Sequence, residues 1–212
     1  MKKLLLLTLL AFIVSGFATA QNSLSQWSTS EISQANTAKD LETLTEEEKK
    51  VIMLINLARL DGKKFKETFC KEYFVGPTNS YRQSLYADLI ATKDLPMLKP
   101  VNELCLCAKS HATEMGKLGK TGHFSANGES PFERMSKYGY WYGAAAENCS
   151  YGFSDAIGIV MQLLWDNGVP GTGHRKNILN SRYKAIGVSI QPHKVYSFNC
   201  VQDFGDSIPE SD

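Results

Sequence analysis

Two histidines and two acidic residues stand at positions where a fold displays reactive side chains. His123 lies in a short loop just after a predicted helix, and His174 follows a loop rich in glycine and proline. Loops and element ends that are held by a rigid scaffold often carry functional groups. Glu147 interrupts a run of alanines, where a buried carboxylate is costly unless it is paired or ligated. Asp166 ends the helix before the loop that leads to His174, so all four side chains are candidates for chemistry.

These four side chains suit two kinds of chemistry. Imidazole nitrogens and carboxylate oxygens that converge on one point would bind a divalent ion, with zinc favoured. A carboxylate beside a histidine would instead shift the pKa of that histidine and fix its tautomer, as general acid-base catalysis requires. The sequence has no HExxH motif, and its candidates are spread over positions 123 to 174. Helix caps and surface histidines are therefore a third interpretation of the same residues.

The other histidines, one serine and one arginine have more ordinary interpretations. His111 falls on the apolar face of a predicted helix, which favours a hydrogen-bonded core or cleft-lining residue over a metal ligand. His193 is expected to be solvated in a hairpin turn. Ser125 is expected to be a turn residue rather than a nucleophile. Arg175 is suited either to an anionic ligand or to an ion pair with Asp166.

The first twenty residues have the form of an export signal. Residues 1–3 are a short basic start, and residues 4–17 form an apolar run. The small residues of Ala18-Thr19-Ala20 then predict cleavage before Gln21. The apolar run is shorter than the roughly 20 residues that cross a bilayer. We therefore expect an exported protein, periplasmic or secreted, that is not an integral membrane protein.

The rest of the sequence suits one globular domain of ordinary size. Hydrophobic residues make up 43% of the chain, and the formal net charge is +1 with acids and bases interspersed. This balance argues against a nucleic-acid partner. Residues 21–44 are rich in Ser, Gln, Asn and Thr and are expected to form a flexible leader. After the signal peptide at residues 1–20, we predict the domain over residues 45–206 and a tail over residues 207–212.

Five cysteines follow the predicted signal peptide, and an odd number leaves at least one thiol unpaired in a monomer. An exported protein can form disulfides. We prefer a bridge between Cys149 and Cys200, because both fall in predicted strands. Cys105 and Cys107 lie two positions apart on a predicted helix, which directs their side chains away from each other. Because there is no CxxC pair, the sequence does not predict a zinc-thiolate centre.

Local signals predict several helices followed by a closing hairpin. Capping boxes that start at Thr45 and Ser130 each predict the beginning of a helix. Apolar residues at helical spacing over 104–118 predict another. Two segments of alternating hydrophobicity, 186–190 and 196–200, are typical of a hairpin. This order predicts an α+β fold or a layered α-β-α sandwich rather than a doubly wound parallel sheet.

Four segments with recognisable motifs occur in a particular order along the chain. They are His111-Ala112 to Gly122-His123-Phe124-Ser125, then Glu147-Asn148, then Gly173-His174-Arg175-Lys176-Asn177-Ile178-Leu179, and finally Gln202-Asp203-Phe204-Gly205. In this order they resemble the CAP superfamily, whose SCP domain is shared by cysteine-rich secretory proteins, insect antigen 5 and plant pathogenesis-related proteins. The third segment and the Asn-Gly-Val-Pro loop before it are similar to the bacterial branch. The resemblance covers about residues 48–205.

The resemblance implies a fold and a site. The fold is a three-layer α-β-α sandwich with a small central antiparallel sheet. The site is a cleft with a tetrad of two histidines and two acids, which would be His123, Glu147, His174 and Asp166. Many relatives carry a glutamate where this sequence has Asp166. The shorter side chain puts direct metal ligation in question and leaves a water-mediated or histidine-orienting role open.

The resemblance leaves three functions open, because CAP proteins have been linked to divalent metals, to lipid or sterol binding, and to proteolysis. The first hypothesis is a non-enzymatic exported module whose tetrad binds a divalent ion, zinc by preference, and shapes a cleft for a lipid or a cell-envelope component. The second is a metal-assisted hydrolase of peptides or cell-envelope polymers, with Glu147 as the base. The third is a lipid-binding or partner-binding surface formed by the aromatic stretch at residues 138–142, which would otherwise belong to the core.

Overall fold

Four strands form one sheet that has helices on both of its faces. The computed structural model describes residues 22–140 and 143–208. The strands are β1 (Lys99–Pro100), β2 (Ala145–Tyr151), β3 (Ala185–His193) and β4 (Ser197–Gly205). The helices are α1 (Thr29–Ala35), α2 (Glu46–Leu60), α3 (Gly62–Phe65), α4 (Lys71–Tyr73), α5 (Ser80–Ala91), α6 (Asn102–Leu118), α7 (Pro131–Lys137), α8 (Ala156–Trp165) and α9 (Gly173–Ile178), with a π-helical turn (Lys66–Cys70) between α3 and α4.

The strand order in the sheet is β1-β3-β4-β2. Strands β3 and β4 form the predicted hairpin, and β2 pairs antiparallel with β4. The two-residue strand β1 runs parallel to β3. Helices α6 and α7 pack on one face, whereas α2 and α8 pack on the other. The predicted three-layer α-β-α sandwich with a small, mainly antiparallel sheet is therefore confirmed, and β2 is an edge strand.

Alternating side chains of β3 and β4 supply both apolar layers. Ile186 and Phe204 belong to the larger core, which they share with α2 and α8. Ala185 and Val201 point to the other face, toward α6. At Gly187 the backbone of α6 comes so close to β3 that a Cβ atom would overlap the main chain of the helix. The absence of a side chain at this position lets α6 lie directly on the sheet.

The local helix signals are confirmed in detail. The Thr45 hydroxyl accepts a hydrogen bond from the Glu48 amide, and the Glu48 carboxylate accepts one from the Thr45 amide. Ser130 and Glu133 form the same reciprocal cap at the start of α7. Helix α6 ends at Gly119, which has a φ of 69°, a left-handed conformation that glycine adopts without strain.

Residues 22–44 differ from the flexible leader that their composition predicts. Trp27 is only 4% exposed, and its indole nitrogen donates a hydrogen bond to the Thr68 hydroxyl. Ala35, at the end of α1, is fully buried in the larger core. A few well-placed apolar side chains thus fix this polar segment to the domain, which a reading based on overall composition misses.

The preferred disulfide bridge is wrong, and all five cysteines are free and buried. In the ladder between β2 and β4, Cys149 pairs with Val201, while Cys200 pairs with Ser150. Because successive side chains of a strand point to opposite faces, Cys149 and Cys200 lie on opposite sides of the sheet. Cys105 and Cys107 do point in different directions, into separate apolar clusters.

Some of the expectations fall on residues outside the described ranges. The predicted signal peptide at residues 1–20 and residues 209–212 of the predicted tail lie there, as do Trp141 and Tyr142 of the aromatic stretch. Within residues 22–140 and 143–208, none of the helices is both long enough and apolar enough to cross a membrane.

Candidate functional site

The first half of the site is a hydrogen-bonded pair of side chains that joins β2 to the loop after α6. Glu147 is a β2 residue whose side chain is 1% exposed. Its Oε1 atom lies 2.8 Å from the Nδ1 atom of His123. Its Oε2 atom accepts a 2.5 Å hydrogen bond from the guanidinium of Arg134. The buried carboxylate is therefore neutralised on one side and holds an imidazole on the other.

Arg134 also fixes the loop that carries His123. From α7, its Nη1 atom donates to the backbone oxygen of His123 at 2.8 Å and to that of Glu129 at 3.1 Å. It also donates to the Ser125 hydroxyl at 3.2 Å, which gives this serine the structural role that we expected. The sequence analysis missed Arg134. An arginine at a core-facing position of a short helix is the signal that would have identified it.

Burial and nearby polar groups shift the pKa of Glu147 in opposite directions. Burial alone would raise the pKa of its carboxyl, but the hydrogen bond with His123 and the electrostatic influence of His111 and Arg134 outweigh burial and lower it. Asp203 is its partner across the β2–β4 ladder and is fully buried. Burial, together with the charge of Glu147, raises the pKa of Asp203 well above its ordinary value. Glu147 is thus the charged member of this carboxyl pair.

The second half of the site joins the end of α8 to the start of α9. Asp166 follows α8 in a left-handed conformation with a φ of 57°, which turns the chain toward the loop. Its Oδ1 atom lies 2.6 Å from the Nδ1 atom of His174, and its Oδ2 atom accepts a hydrogen bond from the Arg175 amide at 3.2 Å. The backbone oxygen of His174 accepts a hydrogen bond from the Asn148 side chain. Each candidate histidine is therefore paired with one candidate acid.

A cleft of about 340 Å³ lies beside the two pairs. Asp166, His174 and Cys149 contribute to its lining, together with aromatic, apolar and amide side chains. Those other side chains belong to Tyr73, Tyr151, Phe153, Gln162, Leu163, Trp165, Asn167 and Val169. His123 and Glu147 are not lining residues of the cleft, but each has an atom 3.6 Å from the Cys149 sulfur. Cys149, which the sequence analysis did not select as a site residue, thus contacts the first pair and lines the cleft with the second.

The arrangement leaves one nitrogen on each imidazole for a ligand. Both Nδ1 atoms are engaged by carboxylates, and no hydrogen bond to either Nε2 atom is made by the described residues. The side chains of His123 and His174 are 44% and 23% exposed, whereas those of their acids are 1% exposed. A histidine that donates from Nδ1 to a carboxylate carries its free lone pair on Nε2, where a metal binds.

The remaining histidines are structural. His111 is buried, and its Nε2 atom lies 3.0 Å from the Gly122 backbone oxygen, in agreement with a hydrogen-bonded residue. The expectation of a solvated His193 is wrong, since it is only 3% exposed. Its Nδ1 atom accepts hydrogen bonds from the amides of Val195 and Tyr196, so the imidazole closes the hairpin turn.

Arg175 and the aromatic stretch do not belong to the cleft. The Arg175 side chain is 1% exposed and pairs with Asp88 at 2.7 Å, rather than with the side chain of Asp166. In the aromatic stretch, Tyr140 is buried and Tyr138 is 36% exposed. At its described positions the stretch therefore combines a core residue with a surface residue.

Comparison with known proteins identifies the family. The family model for cysteine-rich secretory proteins, CAP, matches residues 75–204. The chain belongs to the CAP family. The match includes all four members of the candidate tetrad of this CAP protein, and it begins after α4. No curated protein sequence matches the chain significantly.

Three solved structures of bacterial proteins are similar to this CAP chain. An extracellular protein with an SCP domain from Bacillus anthracis is 22% identical, with a TM-score of 0.47, over 63% of this chain and 45% of its own. An outer surface protein of Borrelia burgdorferi is 19% identical, with a TM-score of 0.47, over 66% of this chain and 93% of its own. A cysteine-rich secretory protein of Staphylococcus aureus is 15% identical, with a TM-score of 0.42, over 76% of this chain and 40% of its own. The chain thus spans less than half the length of the first of these proteins.

Proposed function

We propose that this chain is an exported CAP protein whose cleft binds a divalent metal ion through His123 and His174. The observation that carries the proposal is the matched pairing of each Nδ1 atom with a buried carboxylate, at 2.8 Å and 2.6 Å. Such pairing fixes the tautomer and the orientation of a metal-binding imidazole and raises its basicity. The two Nε2 atoms are the ligands, and Glu147 and Asp166 orient them.

The donor set fits zinc better than magnesium or calcium. Imidazole nitrogen is a preferred zinc ligand, whereas magnesium and calcium take mainly oxygen ligands. The contact between Asp166 and the Nδ1 atom of His174 supports the histidine-orienting role that its shorter side chain left open. With two histidines as ligands, a tetrahedral ion keeps positions for water or for an atom of a bound molecule.

The cleft beside the proposed metal site suits a ligand with an apolar part and a polar group. Tyr73, Tyr151 and Trp165 supply aromatic surface, while Asn167 and Gln162 offer amide groups. A volume of about 340 Å³ is at the lower end of the range for small-molecule sites. We propose that a component of the cell envelope or of the extracellular space binds there, with its polar group toward the metal.

The contacts of Glu147 support the hydrolase hypothesis less well than they support metal and ligand binding. A general base must reach the proton that it removes. Both carboxylate oxygens of Glu147 are engaged, by His123 and by Arg134, and its side chain is 1% exposed. The same contacts suit an orienting carboxylate, so we retain metal and ligand binding as the proposed function.

Isothermal titration of the purified protein with zinc tests this proposal. We expect saturable heat with the native chain and its loss in the double variant His123→Ala/His174→Ala. Phe124→Ala/Lys176→Ala is a matched control, because these exposed residues neighbour the two histidines without belonging to the pairs. An unchanged titration of the double histidine variant would remove the cleft as a metal site.

A further inference from the structure

Cys149 belongs to both halves of the proposed metal site. It lines the cleft together with Asp166 and His174. Its sulfur lies 3.6 Å from the Nδ1 atom of His123 and 3.6 Å from the Oε1 atom of Glu147. The residue is 9% exposed, and its side chain forms part of the cleft wall.

Several donor atoms surround a single carboxylate oxygen next to this sulfur. Besides the sulfur, His123 Nδ1 lies 2.8 Å and His111 Nε2 lies 3.9 Å from Glu147 Oε1. Ligand atoms of His111, Glu147 and Cys149 all lie within 4.8 Å of one another. The sulfur thus adds a soft donor to a compact group of potential metal donors beside the cleft.

The contacts of the thiol leave it available as a ligand. Its contacts to His123, Glu147 and the Gly122 oxygen are 3.6 to 3.7 Å long, and the Tyr151 side chain also interacts with it. A metal that replaces the thiol proton exchanges these weak contacts for a coordinate bond, and the proton leaves to solvent. The thiolate adds a second negative charge beside Glu147, which favours a divalent ion although Arg134 shares the carboxylate.

We propose that Cys149 is a ligand of the cleft metal and that the site therefore selects thiophilic ions, such as zinc, cadmium and cuprous copper. Soft thiolate ligands favour these ions over magnesium, calcium and manganese. The inference rests on the proposed function, because it concerns the same ion. It adds a donor that lies outside the two-histidine, two-acid tetrad.

Cobalt(II) is a suitable probe, because a cobalt–thiolate bond produces an intense charge-transfer band in the near ultraviolet. The native protein, reduced and free of chelators, is titrated with cobalt and then with cadmium as a competitor. We expect the band in the native chain, its absence in Cys149→Ala, and a cadmium affinity at least about tenfold weaker in that variant. Cys105→Ala is the matched control, since Cys105 is 8% exposed and packs in the larger core.

The outcomes separate the two proposals. Cobalt binding that depends on His174 but lacks the thiolate band would overturn the role of Cys149 and leave the two-histidine site intact. A thiolate band that persists in His174→Ala would support Cys149 as a ligand and overturn the cleft site built on both histidines. Loss of the band in Cys105→Ala as well would contradict the assignment to Cys149. No cobalt binding at all would overturn both proposals.

Discussion

Glu147 and Asn148 are consecutive residues of β2 that hold the two histidines of the site from opposite faces of the sheet. The carboxylate of Glu147 bonds to the imidazole of His123 at 2.8 Å. The amide of Asn148 donates to the backbone oxygen of His174 at 3.2 Å. Since neighbouring side chains of a strand point in opposite directions, one dipeptide at the sheet edge fixes the positions of both histidines.

Replacing Asn148 tests this coupling. Asn148→Ala removes hydrogen-bond partners of His174, Gln202 and Asn177, which are buried or partly buried. We expect the free energy of unfolding to fall by about 1–3 kcal/mol and zinc to bind more weakly, because His174 loses a restraint. Urea denaturation and calorimetry measure the two effects, with the exposed Asn127→Ala as control. Native zinc affinity in Asn148→Ala would contradict the coupling.

Arg134 is expected to be the most sensitive side chain behind the cleft. Arg134→Met leaves the carboxylate of Glu147 buried without its cationic partner, which costs about 3–5 kcal/mol of stability. Adding Glu147→Gln removes the uncompensated charge and should restore part of that loss. A double-mutant cycle by denaturant unfolding measures the interaction. Strictly additive effects of the two substitutions would show that the pair does not interact as the 2.5 Å contact indicates.

The buried carboxyl of Asp203 should leave a signature in the pH dependence of stability. Burial and the charge of Glu147 raise its pKa above the ordinary value of 3.8. Its contribution to stability is therefore complete below that value and is lost as the pH rises through the folded-state pKa. Without divalent ions, the stability of the native chain relative to Asp203→Asn should decline as the pH rises above 3.8, with a slope of up to about 1.4 kcal/mol per pH unit.

Asp206 provides a control with the opposite sign. Burial would raise the pKa of Asp206, but hydrogen bonds from the Ala144 amide and from Arg182 outweigh it and lower the pKa. The contribution of Asp206 to stability is present at pH values above its ordinary pKa of 3.8 and is lost as the pH falls. The stability of the native chain relative to Asp206→Asn should therefore rise with pH below 3.8 and stay constant above it, the reverse of the trend for Asp203. Parallel profiles for the two variants would refute the charge assignment at Asp203.

Gly187→Ala tests the close packing of α6 on β3. A methyl group there would overlap the backbone of Leu104 and Cys105, which cannot rotate away. We expect a loss of about 3 kcal/mol or more in thermal or urea unfolding, at the upper end for overpacked cores. Gly173→Ala is the matched control, because no atom lies within 4 Å of a Cβ at that position. Similar stability in the two variants would show that α6 can move away from the sheet.

The parts of the fold that local interactions determine could be predicted from the sequence. Thr45 with Glu48 and Ser130 with Glu133 form caps whose geometry depends on residues three positions apart. Gly119 likewise ends α6 through its own backbone conformation. The four candidate residues of the site were chosen from position and residue type, together with the family resemblance, but the sequence did not indicate which acid pairs with which histidine.

Features that depend on long-range packing could not be predicted. Arg134 reaches Glu147 only because α7 packs against β2. The part that Cys149 plays in the cleft depends on the loop of His123 folding over the end of the strand. His193 is polar by type, yet the turn that it closes removes it from water. In each case the partner is distant in sequence, or the burial depends on elements whose arrangement local patterns do not give.

The five free cysteine thiols affect how long the folded protein survives in an oxidising medium. None is cross-linked, and even the most accessible, at Cys149, is 9% exposed. Non-covalent packing alone therefore keeps these sulfhydryls from oxidants. In an oxidising medium, every excursion to the unfolded chain exposes all five, and any mispaired bridge that forms then prevents return to the native state. The working lifetime of the protein under such conditions is set by how rarely it unfolds.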